Sequence, residues 1–124
     1  MQQKGLIFVI EPNDLILGLL ERWLGEAGYT LIVGTSQGLV EAADQREKPD
    51  LVVIDVPVPR NADRTIKSVR DVHAGPILLL SARLTRGMRS SISVARQLGV
   101  RGVLPIPFTR NELLTALGES MKSQ

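Results

Sequence analysis

The sequence has 124 residues, of which 44% are hydrophobic and 23% are charged, and these values are typical of one soluble globular domain. It contains no cysteine, which excludes a disulfide framework and a thiolate metal site. The first apolar run, Leu6–Ile10, is too short for a signal peptide or a membrane span. Composition therefore predicts a soluble, cytoplasmic protein.

Charge is distributed unevenly along the chain, although the net charge is only +2. Residues 1–59 contain four Lys or Arg against nine Asp or Glu, whereas residues 60–110 contain ten against two. Runs of charge usually form solvated helix faces, and that interpretation stays open here. The strong basic excess of the second segment also favours a partner with an acidic surface.

Short apolar runs recur at nearly even spacing, and amphipathic patterns separate them. The runs are Leu6–Ile10, Leu31–Val33, Leu51–Ile54, Ile77–Leu80 and Val103–Leu104. Strands that alternate with helices form right-handed βαβ units around a parallel sheet. The sequence therefore predicts an α/β fold with a doubly wound, five-stranded parallel sheet. A single domain over residues 1–124, without an internal linker or an output domain, is expected.

Five helices are predicted, over about residues 13–27, 36–47, 63–72 and 86–98 and from residue 109 onward. In the first, Asn13 is a suitable N-cap, Gly28 a suitable stop, and Trp23 a core residue. His73 follows the third helix. It is predicted to be a surface residue and not a metal ligand, because the chain has no second histidine.

The last predicted helix carries the clearest start signal. Thr109 is followed three residues later by Glu112, which is the capping-box pattern. Leu114, Leu117 and Met121 recur at helical spacing, and we expect them to form its inner stripe.

The residues that follow the strands should meet at one edge of the sheet, where open α/β sheets bind their ligands. These segments are Glu11–Asp14, Asp55, Ser81–Ala82 and Pro105–Phe108. The first is acidic and has no glycine, which disfavours a phosphate-binding loop and suits a hard cation such as Mg²⁺. Simpler interpretations stay open: Asp55 could only organise a turn, and Ser81 could only cap one.

The four strand ends together resemble the receiver domains of bacterial two-component response regulators, the CheY-like family, over essentially the whole chain. The resemblance implies the strand order 2-1-3-4-5. It implies that Asp55 stands at the phosphoacceptor position, Glu11 at the first acidic position and Ser81-Ala82 at the Ser/Thr-Ala pair. Pro59 and Phe108 match a proline and an aromatic residue that the family usually has.

Two of the positions that matter for phosphorylation depart from the family pattern. Pro12 stands where the second acidic residue is expected, and Ile106 stands at the position of the lysine. The resemblance therefore implies a weak Mg²⁺ site, or none, built from Glu11, Asp55 and the backbone carbonyl of Pro57. It further implies a cis bond between Ile106 and Pro107, since the matching Lys-Pro bond is typically cis.

Three functions are compatible with these features. The first is an atypical receiver that acts by protein–protein contact, with phosphorylation at Asp55 weak or absent. The second is an ordinary receiver with Mg²⁺-dependent phosphotransfer to Asp55, and the third is a basic nucleic-acid-binding module. In none of them is the chain a conventional enzyme, since the only chemistry would be its own phosphorylation and dephosphorylation.

A partner surface is predicted on the fourth helix and the fifth strand. Its basic residues are Arg86, Arg89, Arg96 and Arg101. Its expected partner is a sensor histidine kinase or another signalling protein with an acidic surface, or a second copy of the chain in a homodimer. No membrane partner is expected. A nucleic acid is disfavoured as a partner, because aromatic stacking residues are few and no recognition-helix motif is present.

Overall fold

The computed structural model describes residues 5–35, 49–56, 62–81, 96 and 99–121. In chain order, the elements are β1 (Leu6–Ile10), α1 (Asp14–Glu26), β2 (Thr30–Val33), β3 (Leu51–Asp55), α2 (Ala62–Arg70), β4 (Ile77–Ser81), β5 (Gly102–Pro105) and α3 (Arg110–Met121). The predicted helices at 36–47 and 86–98 lie outside the described residues, apart from Arg96, which is helical.

The five strands form one parallel sheet with the order β2-β1-β3-β4-β5. Both the predicted doubly wound α/β fold and the strand order implied by the resemblance are confirmed. The lateral progress of the chain reverses at β1, which lies between β2 and β3. Such a switch point creates a crevice at the carboxyl ends of the strands.

The central strands are buried on both faces, as expected for a parallel sheet covered by helices. In β1, Ile7 and Val9 join one core cluster while Phe8, between them, joins the other. The first cluster packs against α1 and α3, and the second packs against α2. The alternation follows from the two-residue period of a strand. A slip of one residue would move every side chain to the opposite cluster, so this alternation fixes the register of the strands.

The first helix has the N-terminus that its sequence predicts. The Asn13 side chain accepts hydrogen bonds from the backbone N–H groups of Leu15 and Ile16, at 3.0 and 3.1 Å. At the other end, Gly28 has a φ of 101°, a conformation that favours glycine. Trp23 packs on the core and meets the Phe108 ring edge to face, with centroids 6.2 Å apart.

The last helix begins with the predicted capping box. The backbone N–H of Thr109 donates to Glu112 Oε1 at 2.8 Å, and the N–H of Glu112 donates to Thr109 Oγ1 at 3.1 Å. The predicted inner stripe is only partly right. Leu113, Leu117 and Ser120 are the buried residues, whereas Leu114 and Met121 pack at the margin of the core.

The prediction that His73 is a surface residue is wrong, because its side chain is 7% exposed. Its Nε2 lies 3.0 Å from the carbonyl oxygen of Pro76. A Cβ atom on Gly75 would lie 3.0 Å from the ring, so the glycine leaves the space that the ring occupies. The turn between α2 and β4 therefore folds over the imidazole.

None of the helices in the described ranges combines the length and the apolar character needed to cross a membrane.

Candidate functional site at the carboxyl edge of the sheet

Strand register brings three predicted site residues to the same edge. Ile10 of β1 pairs with Ile54 of β3. The residues that come next, Glu11 and Asp55, therefore lie side by side at the ends of the neighbouring strands. Asp55 pairs with Leu80 of β4, which places Ser81 one residue further on. We define Glu11, Asp55 and Ser81 as the crevice residues. The sequence predicts all three at this edge, and the structure brings them together.

Glu11 is held by the chain segment that follows it. The side chain is only 6% exposed, and its Oε2 accepts a hydrogen bond from the backbone N–H of Asn13 at 3.1 Å. Its other oxygen, Oε1, is buried and has no N–H or O–H partner among the described residues. Leaving a buried carboxylate oxygen unpaired is costly, which favours the protonated carboxyl group.

The pKa values of Glu11 and Asp55 are shifted mainly by burial. Burial, followed by a hydrogen bond to Asp55, raises the pKa of Glu11 to about 8, although the Asn13 N–H opposes the shift. Burial also raises the pKa of Asp55, while the hydrogen bond from Glu11 acts in the opposite direction. The raised pKa values favour one proton held by the two carboxyl groups at neutral pH, and Glu11, the more deeply buried of the two, is the group that favours it.

The fifth strand closes the crevice with apolar groups. The N–H of Ile106 donates to the carbonyl oxygen of Ser81 at 2.9 Å, which ties the end of β5 to the end of β4. The Ile106–Pro107 bond is cis, so that prediction is confirmed. Ile106 packs against the core cluster on the α1 and α3 side of the sheet, and Phe108 is buried in that cluster.

The small number of metal-ligating side chains near Glu11 limits metal binding. Within the described residues, no group of three or more Asp, Glu, His or Cys side chains could hold a metal ion. Pro12 follows Glu11 directly, is exposed, and has no side-chain donor. Glu11 and Asp55 thus supply two carboxyl groups, a small set that still fits Mg²⁺.

Several predicted site residues lie outside the described ranges. They are Pro57, whose carbonyl is a predicted metal ligand, Pro59, Ala82, Arg86 and Arg89. Of the predicted partner surface, Arg96 and Arg101 are described, and both are exposed. The N–H of Arg101 donates to the carbonyl oxygen of Ile77 at 3.0 Å. This bond places Arg101 at the amino-terminal edge of the sheet, away from the crevice.

Sequence reasoning missed the role of Asn13 in the site. Asn13 caps α1 with its side chain and fixes Glu11 with its backbone N–H. A signal for this was present, because an acidic residue two positions before an N-cap residue can accept from the cap's own N–H.

Comparison with known proteins shows that the chain is similar to bacterial transcriptional regulatory proteins. No family model matches it. It is 32% identical over 114 residues to the transcriptional regulatory protein PdtaR of Mycobacterium tuberculosis, covering 90% of this chain and 54% of that protein. It is 27% identical over 113 residues to CpxR of Escherichia coli, covering 90% of this chain and 47% of that one. The chain thus spans about half the length of these curated relatives.

Among solved structures, the receiver domain of the sensor histidine kinase PA1611 from Pseudomonas aeruginosa matches with a TM-score of 0.72 and 24% identity, over 96% of this chain and 98% of that one. That structure is described with a magnesium ion coordinated in the active site cleft. Its homologues are response regulators, and it shares the fold and the strand order 2-1-3-4-5 of the CheY-like receiver domains.

Proposed function

We propose that this receiver domain is atypical: it acts through protein–protein contacts, and phosphorylation at Asp55 is weak or absent. The observation that carries the proposal is Ile106. Where the family resemblance implies a lysine, this chain has an aliphatic side chain packed against the core. No cation is available from that position to hold a phosphoryl group beside Asp55.

The chemistry of phosphorylation explains why the loss matters. Attack by the Asp55 carboxylate on a phosphodonor is covalent catalysis, and it depends on neutralising the charge on the phosphoryl oxygens. Ile106 supplies no charge-assisted hydrogen bond, and Pro12 supplies no second acidic ligand. Ser81, which is buried at the end of β4, is the remaining matched side chain that can hydrogen-bond a phosphate.

Mg²⁺, when bound, would neutralise charge on the phosphate and on the carboxylates. Glu11 and Asp55 are the described residues that would hold it, with the Pro57 carbonyl as the proposed third ligand. The proton shared by the two carboxyl groups must leave before both can act as ligands. We therefore expect weak binding at neutral pH.

An ordinary phospho-accepting receiver is the second candidate. It is favoured by the position of Asp55, which lies at the carboxyl end of a central strand beside Glu11 and Ser81. The two candidates share the fold and differ in whether the crevice residues alone suffice for phosphotransfer.

The proposed partner is a sensor histidine kinase or another signalling protein with an acidic surface. Arg96 and Arg101 are exposed, and together with Arg86 and Arg89 they would contact it. A homodimer through the same surface is the alternative. Electrostatic steering by such a surface predicts an association rate that falls as salt rises.

Labelling with a small acyl-phosphate donor tests the proposal. Intact-mass spectrometry would follow phosphorylation with and without Mg²⁺ in the native chain and in Pro12→Asp, Ile106→Lys and the double variant. Asp55→Asn provides the blank. We expect little labelling of the native chain and clear Mg²⁺-dependent labelling of the double variant. Robust Mg²⁺-dependent labelling of the native chain at Asp55 would establish the ordinary receiver instead.

A further inference from the structure

The outer face of α2 carries a stripe of positive charge. Ile66 and Val69 are 2% and 1% exposed and face the sheet, whereas Arg64, Lys67 and Arg70 are exposed. The three cations recur every third residue and therefore span about 9 Å along one side of the helix. Their side chains form no ion pair with any carboxylate whose side chain the structure describes.

The structure joins this stripe to a second basic region. Gly99 has a φ of +71°, and a Cβ atom there would lie 3.1 Å from Nη2 of Arg70 and 3.3 Å from its Cζ. The guanidinium group of Arg70 thus lies directly against the Gly99 backbone. Gly99 donates its N–H to the carbonyl oxygen of Arg96, so the exposed Arg96 lies one turn away. We call Arg64, Lys67, Arg70 and Arg96 the basic ridge.

The end of the basic ridge that Arg70 and Arg96 form is remote from the crevice. Arg70 ends α2, and Arg101 enters β5 beside Ile77, the first residue of β4. Both positions lie at the amino-terminal edge of the sheet, while Glu11, Asp55 and Ser81 lie at the carboxyl edge. A partner at this end of the ridge would leave the crevice uncovered.

We propose that the basic ridge is a docking surface for an acidic amphipathic helix of a protein partner. Carboxylates three and four residues apart on a helix are neighbours, and their spacing matches that of Arg64, Lys67 and Arg70. Planar guanidinium groups bind carboxylates in bidentate geometry. The inference rests on the proposed action through protein contact, but not on the state of Asp55.

Other features favour a protein helix over a nucleic acid. The four aromatic residues of the sequence are Phe8, Trp23, Tyr29 and Phe108, and none is exposed. The ridge therefore has no platform on which bases could stack. Asp71, which is exposed next to Arg70, would repel a continuous line of phosphates, whereas a protein partner can place a cation opposite it.

The test uses a labelled synthetic alanine-based peptide of about 20 residues, long enough to be helical, with glutamate at every third or fourth position. A glutamine version and a DNA duplex serve as comparison ligands, and anisotropy gives each affinity at several salt concentrations. We expect the Lys67→Glu/Arg70→Glu variant to bind the glutamate peptide about tenfold more weakly than the native chain. Arg22→Glu/Arg110→Glu reverses two exposed cations outside the ridge and changes the net charge by the same amount, so it is the matched control and should bind like the native chain.

Three results would overturn the inference: no binding of the glutamate peptide by the native chain, equal binding by the ridge variant, or tighter binding of the duplex than of the peptide. Phosphodonor labelling of the same proteins is measured in parallel. None of the variants touches Glu11, Asp55 or Ser81, so labelling at Asp55 would refute the atypical receiver and leave the docking role of the ridge standing. Circular dichroism would verify that each variant is folded.

Discussion

Replacing Glu11 with glutamine should remove much of the pH dependence of stability between about pH 5 and pH 8. The pKa of Glu11 is raised to about 8 in the folded chain. The folded state therefore keeps a proton that the unfolded state releases near pH 4.5, the ordinary pKa of the side chain. The unfolded state then binds fewer protons, so stability falls as pH rises through this window. Stability linked to Glu11 is fully present below the window and lost above it.

The size of the effect follows from the shift. One unit of pKa corresponds to about 1.4 kcal/mol, so the full displacement from 4.5 to about 8 sets a ceiling of about 5 kcal/mol. Glu11 and Asp55 share the proton, and Asp55 is only partly buried, so we expect about 1–3 kcal/mol. Glutamine keeps an oxygen for the Asn13 N–H and an N–H for Asp55, which should preserve the geometry.

Urea unfolding in EDTA at a series of pH values from 5 to about 8.5 measures this difference. The free energy of unfolding of the native chain should decline with pH more steeply than that of Glu11→Gln, and the variant should be the more stable of the two near pH 8.5. Glu21→Gln on the exposed side of α1 controls for the loss of one negative charge. If the native chain and Glu11→Gln differ by the same amount at every pH, Glu11 does not hold the proton.

The remaining predictions concern single positions. Gly18→Ala should raise the free energy of unfolding by about 0.5–1 kcal/mol, because nothing lies within 4 Å of the added methyl group. Gly99→Ala, at a φ of +71°, should instead lower the free energy of unfolding by about 1–2 kcal/mol. Thermal melts of the two variants would then show opposite shifts of the melting temperature. Thr109→Ala removes one half of the capping box and should cost about 1 kcal/mol in urea unfolding, whereas Thr115→Ala, on the exposed side of α3, should cost less. Pro12→Asp and Ile106→Lys should be non-additive in phosphodonor labelling, because both act on one charge cluster; labelling of the double variant equal to the product of the single effects would contradict this.

The fold was predictable because its signals are local. Each apolar run became a strand, and the observed strands extend one residue beyond the runs where the ladder continues, as at Thr30, Asp55 and Ser81. Cap residues were equally reliable, since Asn13 and Thr109 bond to N–H groups only two or three residues away. Local chemistry of this kind does not depend on the rest of the chain.

Errors arose where distant packing decides the outcome. His73 was predicted to be at the surface, but the turn before β4 covers it, and no local pattern signals that cover. On α3, the inner face is set by how the helix lies over β4 and β5. Ser120 is therefore buried, and a Cβ atom on Gly102 would lie 2.6 Å from its hydroxyl, which periodicity of apolar residues could not reveal.

The same distinction applies to the candidate site. Strand ends in the sequence were sufficient to bring Glu11, Asp55 and Ser81 to one edge, because parallel register follows from the fold. The proton between Glu11 and Asp55 depends on the burial of both groups and on an oxygen that no described donor reaches.

The buried proton gives the crevice a resting state that needs neither a metal ion nor a lysine. In a cluster of carboxylates, mutual repulsion is relieved by binding a cation or by taking up a proton. Relative to the family pattern, Pro12 supplies no carboxylate and Ile106 supplies no cation, and the raised pKa of Glu11 favours a single proton held by the two carboxyl groups that remain. Mg²⁺ must then displace this proton before both carboxyl groups can act as ligands. That competition favours a domain that signals from surfaces such as the basic ridge over one that switches at Asp55.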